Sequence, residues 1–502
     1  MRTKRLAKNT IASLVFQVTT IICGFIVPRL ILVTFGSEVN GLVNSITQFL
    51  SIISFLEFGV GAVVQSALYK PLANKDNTAI SQIIVSANKF FRRLAQILLV
   101  YIVVLMLIYP YIAKQNFGHL YSAFLIAAMS ISYFAQYYFG VVDRLLLTAD
   151  QKGYIQYTAQ TITLILNTIA CYIEIKCGAS IHVVKLTTSL IFLLRPIFLC
   201  HVVNHQYSID RKATYDKEPI QQKWNGVAQH ISAVVLDGTD SIVLTLFASL
   251  SDVSIYSVYH LVLNGIKQLL ISMTNGIQAL LGELWAKQEI DELNKTFGWV
   301  EWTLHTGTVF VFGCTGMLIL PFVRVYTNGV TDANYVQPLF ACLITLAQAG
   351  HCLRLPYNIM ILAAGHYKQT QHNYIIAATL NIVISVLTVW KWGLIGVAIG
   401  TLLAMFYQTI WMAIYDSKNI VCWPIRNFIK QIFVDFLCVI IGIVLSFKVP
   451  LTSCTYLSLI ILAIEIALIW GALICVMNFI FYREKMVSLL QIIHSQFKKI
   501  YR

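Results

Sequence analysis

Apolar runs long enough to cross a bilayer follow one another along almost the whole chain. The first extends from about Asn9 to Phe35 and admits one charged residue, Arg29. A soluble protein carries about a quarter of its residues charged; this chain has 12% charged and 58% hydrophobic residues. No soluble core could absorb that much apolar sequence. The runs are continuous rather than alternating, so the spans must be helices that satisfy their own backbone hydrogen bonds away from water. The expected fold class is an all-α polytopic membrane protein.

Fourteen spans fit. Their approximate limits are 10–35, 41–69, 90–112, 119–147, 154–175 and 180–203, then 226–250, 254–284, 302–326, 335–364, 374–391 and 393–415, and finally 428–448 and 456–482. The basic start, Met1-Arg-Thr-Lys-Arg, resembles a signal-peptide n-region. The run behind it is too long for an h-region and lacks a small-residue cleavage site, so it reads as an uncleaved first span. Two charged stretches, Pro71 to Asn88 and Ala286 to Val300, carry helical apolar spacing and predict amphipathic helices on the membrane surface.

The net charge of +14 would suggest nucleic acid in a soluble protein. Here it sorts by side. With the N-terminus inside, outside loops hold only Lys114, Lys176, Lys391 and Lys448, and seven bases fall within spans. The remaining 25 of the 36 Lys and Arg residues lie in inside loops and tails. Both termini are therefore expected in the cytoplasm, with the positive charge serving topology and contact with anionic lipid heads. Nucleic acid is not an expected partner. The 11 cysteines form no CxxC and no metal spacing and read as small hydrophobes, so neither metal nor cofactor is expected.

The longest polar run, His201 to Asn225, has similar sequence on its two sides. Gly178-Ala-Ser-Ile lines up with Gly393-Leu-Ile-Gly, and Leu145-Leu-Leu-Thr-Ala with Met360-Ile-Leu-Ala-Ala, both at a shift of 215. Gly36-Ser-Glu-Val lines up with Leu250-Ser-Asp-Val, and Asn167 with Asn381, at 214. The expected organisation is a six-helix bundle over 1–203, a linker over 204–225, a second six-helix bundle over 226–415, and two extra helices with a tail over 416–502. Same-direction halves imply a pseudo-two-fold axis along the membrane normal and a central cavity between two rocking bundles. Gly396 and Gly400 form a GxxxG suited to close helix packing.

A charge at mid-membrane costs roughly 2.5–3.5 kcal/mol on insertion scales and faces a cavity or a partner. Arg324 and Arg144 lie near span ends and can snorkel, and Arg144 adjoins Asp143, so a structural role is expected for both. Arg29, Lys185, Lys267 and Arg354 lie deeper and are candidates for a cationic cavity, with Arg195 between the two groups. Polar stripes at helical spacing mark the span with His260, Asn264 and Lys267, the span with Gln348, His351 and Arg354, and the span with Glu57. Lipid cannot face these stripes, so Glu57, His260, Asn264, Gln348 and His351 are expected to line polar space. Asp237 and Asp240, beside His230, could bind a proton or Na⁺; the alternative is that they neutralise buried bases.

There is no Walker A sequence, and outside loops are too short for a catalytic domain. An enzyme is not expected. Two six-span repeats plus two spans resemble the multidrug/oligosaccharidyl-lipid/polysaccharide (MOP) exporter superfamily. Within it, Val27-Pro-Arg-Leu-Ile-Leu, Phe35-Gly-Ser-Glu-Val-Asn-Gly-Leu, Phe55-Leu-Glu-Phe-Gly-Val-Gly-Ala and Gly393-Leu-Ile-Gly-Val-Ala-Ile-Gly-Thr are similar to bacterial polysaccharide flippases of the Wzx type. That resemblance implies a multi-pass protein of the bacterial inner membrane. Its implied cargo is the undecaprenyl-diphosphate-linked repeat unit of O-antigen, capsule or exopolysaccharide, and a polysaccharide polymerase is an implied partner. By position, Arg29, Lys185, Lys267 and Arg354 would meet the diphosphate. A multidrug exporter and a flippase for the peptidoglycan precursor are the alternatives.

Overall fold

Long apolar runs without interrupting acids become helices throughout, and no strand occurs among the described residues. The computed structural model describes residues 2–52, 54–112, 117–215, 219–220, 227–421, 423–447, 449 and 453–500. Eleven of the described helices are long and apolar enough to cross a bilayer, and the chain is a multi-pass membrane protein. Three further helices, α2, α8 and α9 below, stand at expected span positions outside that count of eleven, so fourteen is not reached on length and composition.

The chain divides into two compact units, Met1–Ser257 and Val258–Arg502. The first begins with α1 (Arg2–Ser51), which breaks at Gly36, where φ is 83° and only glycine sits without strain. There follow α2 (Ser54–Asn74), α3 (Asn77–Ile112), and α4 (His119–Ala135). A π turn (Gln136–Gly140) leads straight into α5 (Val141–Ala149), and α6 (Gly153–Lys176), α7 (Ile181–Gln206) and α8 (Val227–Phe247) complete the unit with the start of α9 (Leu250–Ala286). The expected second span, 41–69, is thus shared between the end of α1 and α2. The expected surface helix at 71–88 is helical from Asn77 onward, but it runs without a break into the span as α3. No glycine or proline interrupts residues 77–109, so nothing ends the helix at the charges. Near Gly36, Asn40 donates to Ser254 Oγ at 2.7 Å. These two residues are aligned by the shift of 214.

In the second unit α9 is followed by α10 (Ile290–Tyr326), α11 (Pro338–Leu353), α12 (Leu355–Ala363), α13 (Tyr367–Trp392) and α14 (Leu394–Asn419). The stretch expected as a surface helix at 286–300 again continues into its span, as α10. Pro356 removes the N–H that would bond Cys352 O, and the helix breaks at Arg354 between α11 and α12. Gly393 takes a positive φ of 50° between α13 and α14, and its aligned partner Gly178 one of 77° between α6 and α7. Gly396 packs against the Thr388 backbone and Gly400 against Ser385 and Asn381, so the GxxxG serves the close contact of α14 with α13.

The last helices are α15 (Ile425–Ser446), α16 (Tyr456–Phe481) and α17 (Arg483–Ile500). Trp470 of α16 is fully buried against Gly313 of α10 and Gly442 of α15, and its Nε1 donates to Ser446 Oγ at 3.0 Å. A side chain at Gly313 would occupy the indole's place. Gly313→Leu is therefore expected to eject Trp470 and cost a few kcal/mol, of the order of an aromatic core truncation. The check is a lowered melting temperature of the detergent-solubilised protein, together with increased quenching of Trp470 in a variant holding no other tryptophan.

At the start of α17, Lys485 Nζ donates to Gly298 O at 2.7 Å and lies 5.5–6.0 Å from the centroids of Trp302, Trp423 and Tyr482. Burial lowers its ammonium from the ordinary lysine value to about 8; Glu301 pulls the other way and Lys430 adds like charge. The folded chain then binds fewer protons than the unfolded one from about pH 8 up to the ordinary lysine range. The lysine's contribution to stability accordingly rises with pH across that window. Amine acylation mapped over a pH series should show Lys485 half-reactive near pH 8.

Candidate functional site

The first unit holds a partly open cavity of about 360 Å³ between α4, the π turn, α5, α6 and α7. Three cations line it: Arg144 from α5, and Lys185 and Arg195 from α7. Gln136, Gln156 and Gln160 add amides, and Thr47, Ser132 and Ser189 add hydroxyls. No acidic residue lines it among the described residues.

Local sequence explains this gathering. The π turn holds one residue more than an α turn of the same rise. Within it Gln136 reaches the cavity while Tyr137 is buried at 3% exposure. Gly140 ends the π turn, and a Cβ there would stand 2.8 Å from Pro196 Cβ. The missing side chain lets α7 approach closely. Pro196 in turn withholds the helical donor to the Phe192 carbonyl one turn back. Arg195 Nε donates to Thr163 Oγ1 at 2.6 Å, and its guanidinium lies 3.9 Å from the Phe192 ring centroid. Both contacts hold the guanidinium in place from its neighbours on α6 and α7. Such a constellation can bind a di-anionic group through several charge-assisted bonds in a low dielectric.

Of the four cations expected at a binding site, Lys185 lines this cavity. Arg29 lies half-buried on α1 and is not part of its lining. Lys267 and Arg354 belong to the second unit. Lys267 is 1% exposed on α9. Arg354, 6% exposed, donates to Gln408 Oε1 and lies 3.3 Å from His351 Nδ1. His351 and Gln348 are buried beside it on α11, and α11 is tied to α14 by Thr409 Oγ1 donating to Gly350 O at 3.0 Å. His260 and Asn264 are half-buried on α9. Asp240 is 2% exposed and accepts from Tyr256 Oη at 3.1 Å. The side chains of Glu57, His230 and Asp237 lie outside the described residues.

Two cavity cations were given another place by the sequence. Arg144 was expected to pair structurally beside Asp143. Instead Asp143 lies 3.9 Å from Arg211, beyond the end of α7, and Arg144 lines the cavity. Arg195, expected between the span-end and the deep cations, lines the cavity from α7 together with Lys185. A signal was present for the glutamines: Gln156, Gln160, Thr163 and Asn167 recur at helical spacing on α6, a polar stripe of the kind recognised elsewhere in the chain.

No family model matches the chain, and no curated protein sequence does. Solved structures do. The lipid II flippase MurJ in an inward-closed conformation superposes with a TM-score of 0.71 at 15% identity, covering 95% of this chain and 99% of that one. The chain shares the fold of this flippase. An inward-facing multidrug-resistance MATE family transporter of the MOP superfamily matches with a TM-score of 0.62 at 15% identity, over 80% of this chain and 94% of that one. A further MOP superfamily transporter, from Pyrococcus furiosus, matches at 0.60 and 13% identity, over 82% and 96%; its binding pocket is described as reversed in polarity. These neighbours are transporters and flippases rather than enzymes.

Proposed function

We propose that this protein flips undecaprenyl-diphosphate-linked oligosaccharide repeat units across the bacterial inner membrane by alternating access. The units would feed O-antigen, capsule or exopolysaccharide synthesis. The observation that carries the reading is the cavity holding Arg144, Lys185 and Arg195 without an acid, on a fold shared with the flippase MurJ. A diphosphate has to exchange water for cationic partners, and two arginines offer paired N–H donors in a fixed geometry. A transporter of organic cations would need the opposite lining.

Two six-helix repeats joined through the linker at 204–225 supply the two bundles that rock, with both termini in the cytoplasm. Arg29, Lys267 and Arg354 remain candidates for the sugar-diphosphate path, with Glu57, His260, Asn264, Gln348 and His351 along it. Asp237, Asp240 and His230 remain candidates for a coupling proton or Na⁺. A second reading, a flippase for the peptidoglycan precursor, is favoured by the MurJ likeness and shares the anionic head group.

The test is complementation. Deleting the gene should abolish a surface polysaccharide while growth continues. Wild type should restore it, and a variant with both Lys185→Ala and Arg195→Ala, expressed at equal level, should restore less than a tenth. Loss of viability on depletion would favour the precursor reading instead. Unchanged polysaccharide with altered drug sensitivity would overturn both.

A further inference from the structure

A second buried polar cluster lies in the other unit, at the end nearest α17. It joins α10, α12, α14 and α15 and plays no part in the cation-lined cavity. Trp423 Nε1 donates to Glu301 Oε2 at 2.8 Å, and Tyr357 Oη donates to Glu301 Oε1 at 2.7 Å. The same Tyr357 Oη lies 3.2 Å from His305 Nε2. His305 Nδ1 lies 2.7 Å from Asp435 Oδ2, whose other oxygen accepts from Gln431 Nε2 at 2.9 Å. Glu301, His305, Tyr357 and Asp435 are all at least nine-tenths buried.

With Asp435 ionised, counting donors leaves this row two proton arrangements. A phenol has one proton. If Tyr357 gives it to Glu301, then His305 Nε2 must donate to Tyr357 and Nδ1 to Asp435, so His305 carries both protons. If Glu301 holds the proton, it donates to Tyr357, which donates to His305 Nε2, and His305 is neutral. The two states differ by short proton shifts along existing hydrogen bonds, with no side chain displaced.

Asp416 of α14 stands beside this row. It is 1% exposed, and both its carboxylate oxygens are buried without a hydrogen-bond partner among the described residues. With Glu301, Tyr357 and Trp423 it lines a small, partly open space of about 10 Å³, close to the room of one water. A buried carboxylate with no donor is stable only if something neutralises it. The groups that face the cluster are Tyr415 on α14 itself, Asp435 and Cys438 on α15, and Tyr482 and Lys485 at the junction of α16 and α17, with Lys430 beside Lys485. Lys485, the cation near Glu301, is already committed to Gly298 O and its ring of aromatics.

We propose that Asp416 is a proton-binding carboxyl, exchanging its proton with Glu301 and the Tyr357–His305–Asp435 row across that one-water space. This site is separate from Asp237, Asp240 and His230, and it holds whatever the transported cargo is.

Proton uptake by the purified protein in nanodiscs tests it, read with an indicator dye over a pH step and by infrared difference spectroscopy in the carboxylic-acid C=O region. Wild type should show a titrating carboxylic-acid band. Asp416→Asn should lose that band and take up one proton fewer per chain, and Glu301→Gln should shift it, both with melting temperatures near wild type. If Asp416→Asn does not keep its fold, Asp416→Glu should retain the proton with a displaced band. The same band and uptake in a folded Asp416→Asn variant would overturn the proposal. So would a wild-type melting temperature raised by NaCl over equal choline chloride and unmoved in Asp416→Asn, since the occupant would then be Na⁺.

Discussion

Arg195→Ala should weaken binding of a diphosphate head group by roughly ten- to a hundredfold, and Arg195→Ala with Lys185→Ala should abolish it. A hydrogen bond to a charged group contributes about 1.5–3 kcal/mol, and each 1.4 kcal/mol is tenfold in Kd. Arg195 is fixed before any ligand arrives, by Thr163 at 2.6 Å and by the Phe192 ring. Little conformational entropy is therefore lost on binding. Lys185 is a flexible point charge on the same helix, so its single replacement should cost less. The two share one ligand, and their effects should not add. The measurement is isothermal titration of the detergent-solubilised protein with a short-chain prenyl diphosphate. Arg195→Lys separates charge from geometry: a loss nearly as large as that of alanine would show that the planar fork matters, and near-wild-type binding would show that charge suffices. Equal binding by wild type and the double variant would remove the cavity from the transport path.

How far the sequence reaches is clear from particular residues. Helix type and membrane class follow from unbroken apolar runs, because burial in lipid leaves no other way to satisfy the backbone. Gly178 and Gly393, found by alignment alone, both turn out to need positive φ. Boundaries were less legible where a charged stretch predicts a separate surface helix: the stretch ending at Asn88 runs on into the span as α3, since no residue there breaks a helix. The site was legible in kind more than in place. Lys185 was recognisable as a deep cation, yet Arg144 was assigned to its neighbour Asp143. Which side of a helix adjacent residues face depends on the π turn before them, and one extra residue rotates all that follows. Asp435 stands inside the expected span 428–448, but Glu301, His305 and Asp416 lie at or just beyond span ends, so their burial shows only once α15 is packed on α10.

The close approach of α7 to the π turn gives the other large effect. A leucine at Gly140 should expand the α7 contact, carry Arg195 away from Thr163 and abolish diphosphate binding while the protein still inserts and folds. Even the Cβ of alanine would come 2.8 Å from Pro196 Cβ and 3.4 Å from Pro196 Cα. A real Cβ does not approach a carbon so closely, and packed interiors give way by shifting whole elements rather than by compressing. Arg195 immediately precedes the residue that must move. The geometry also names a suppressor. Pro196→Ala keeps the offending Cβ and should not rescue Gly140→Ala, whereas Pro196→Gly removes it and should restore much of the binding despite the helix cost of glycine. Titration with the same prenyl diphosphate, with circular dichroism as the check on folding, decides it. Rescue by Pro196→Ala as complete as by Pro196→Gly would mean that the proline's missing N–H, not the glycine's missing side chain, sets the position of Arg195.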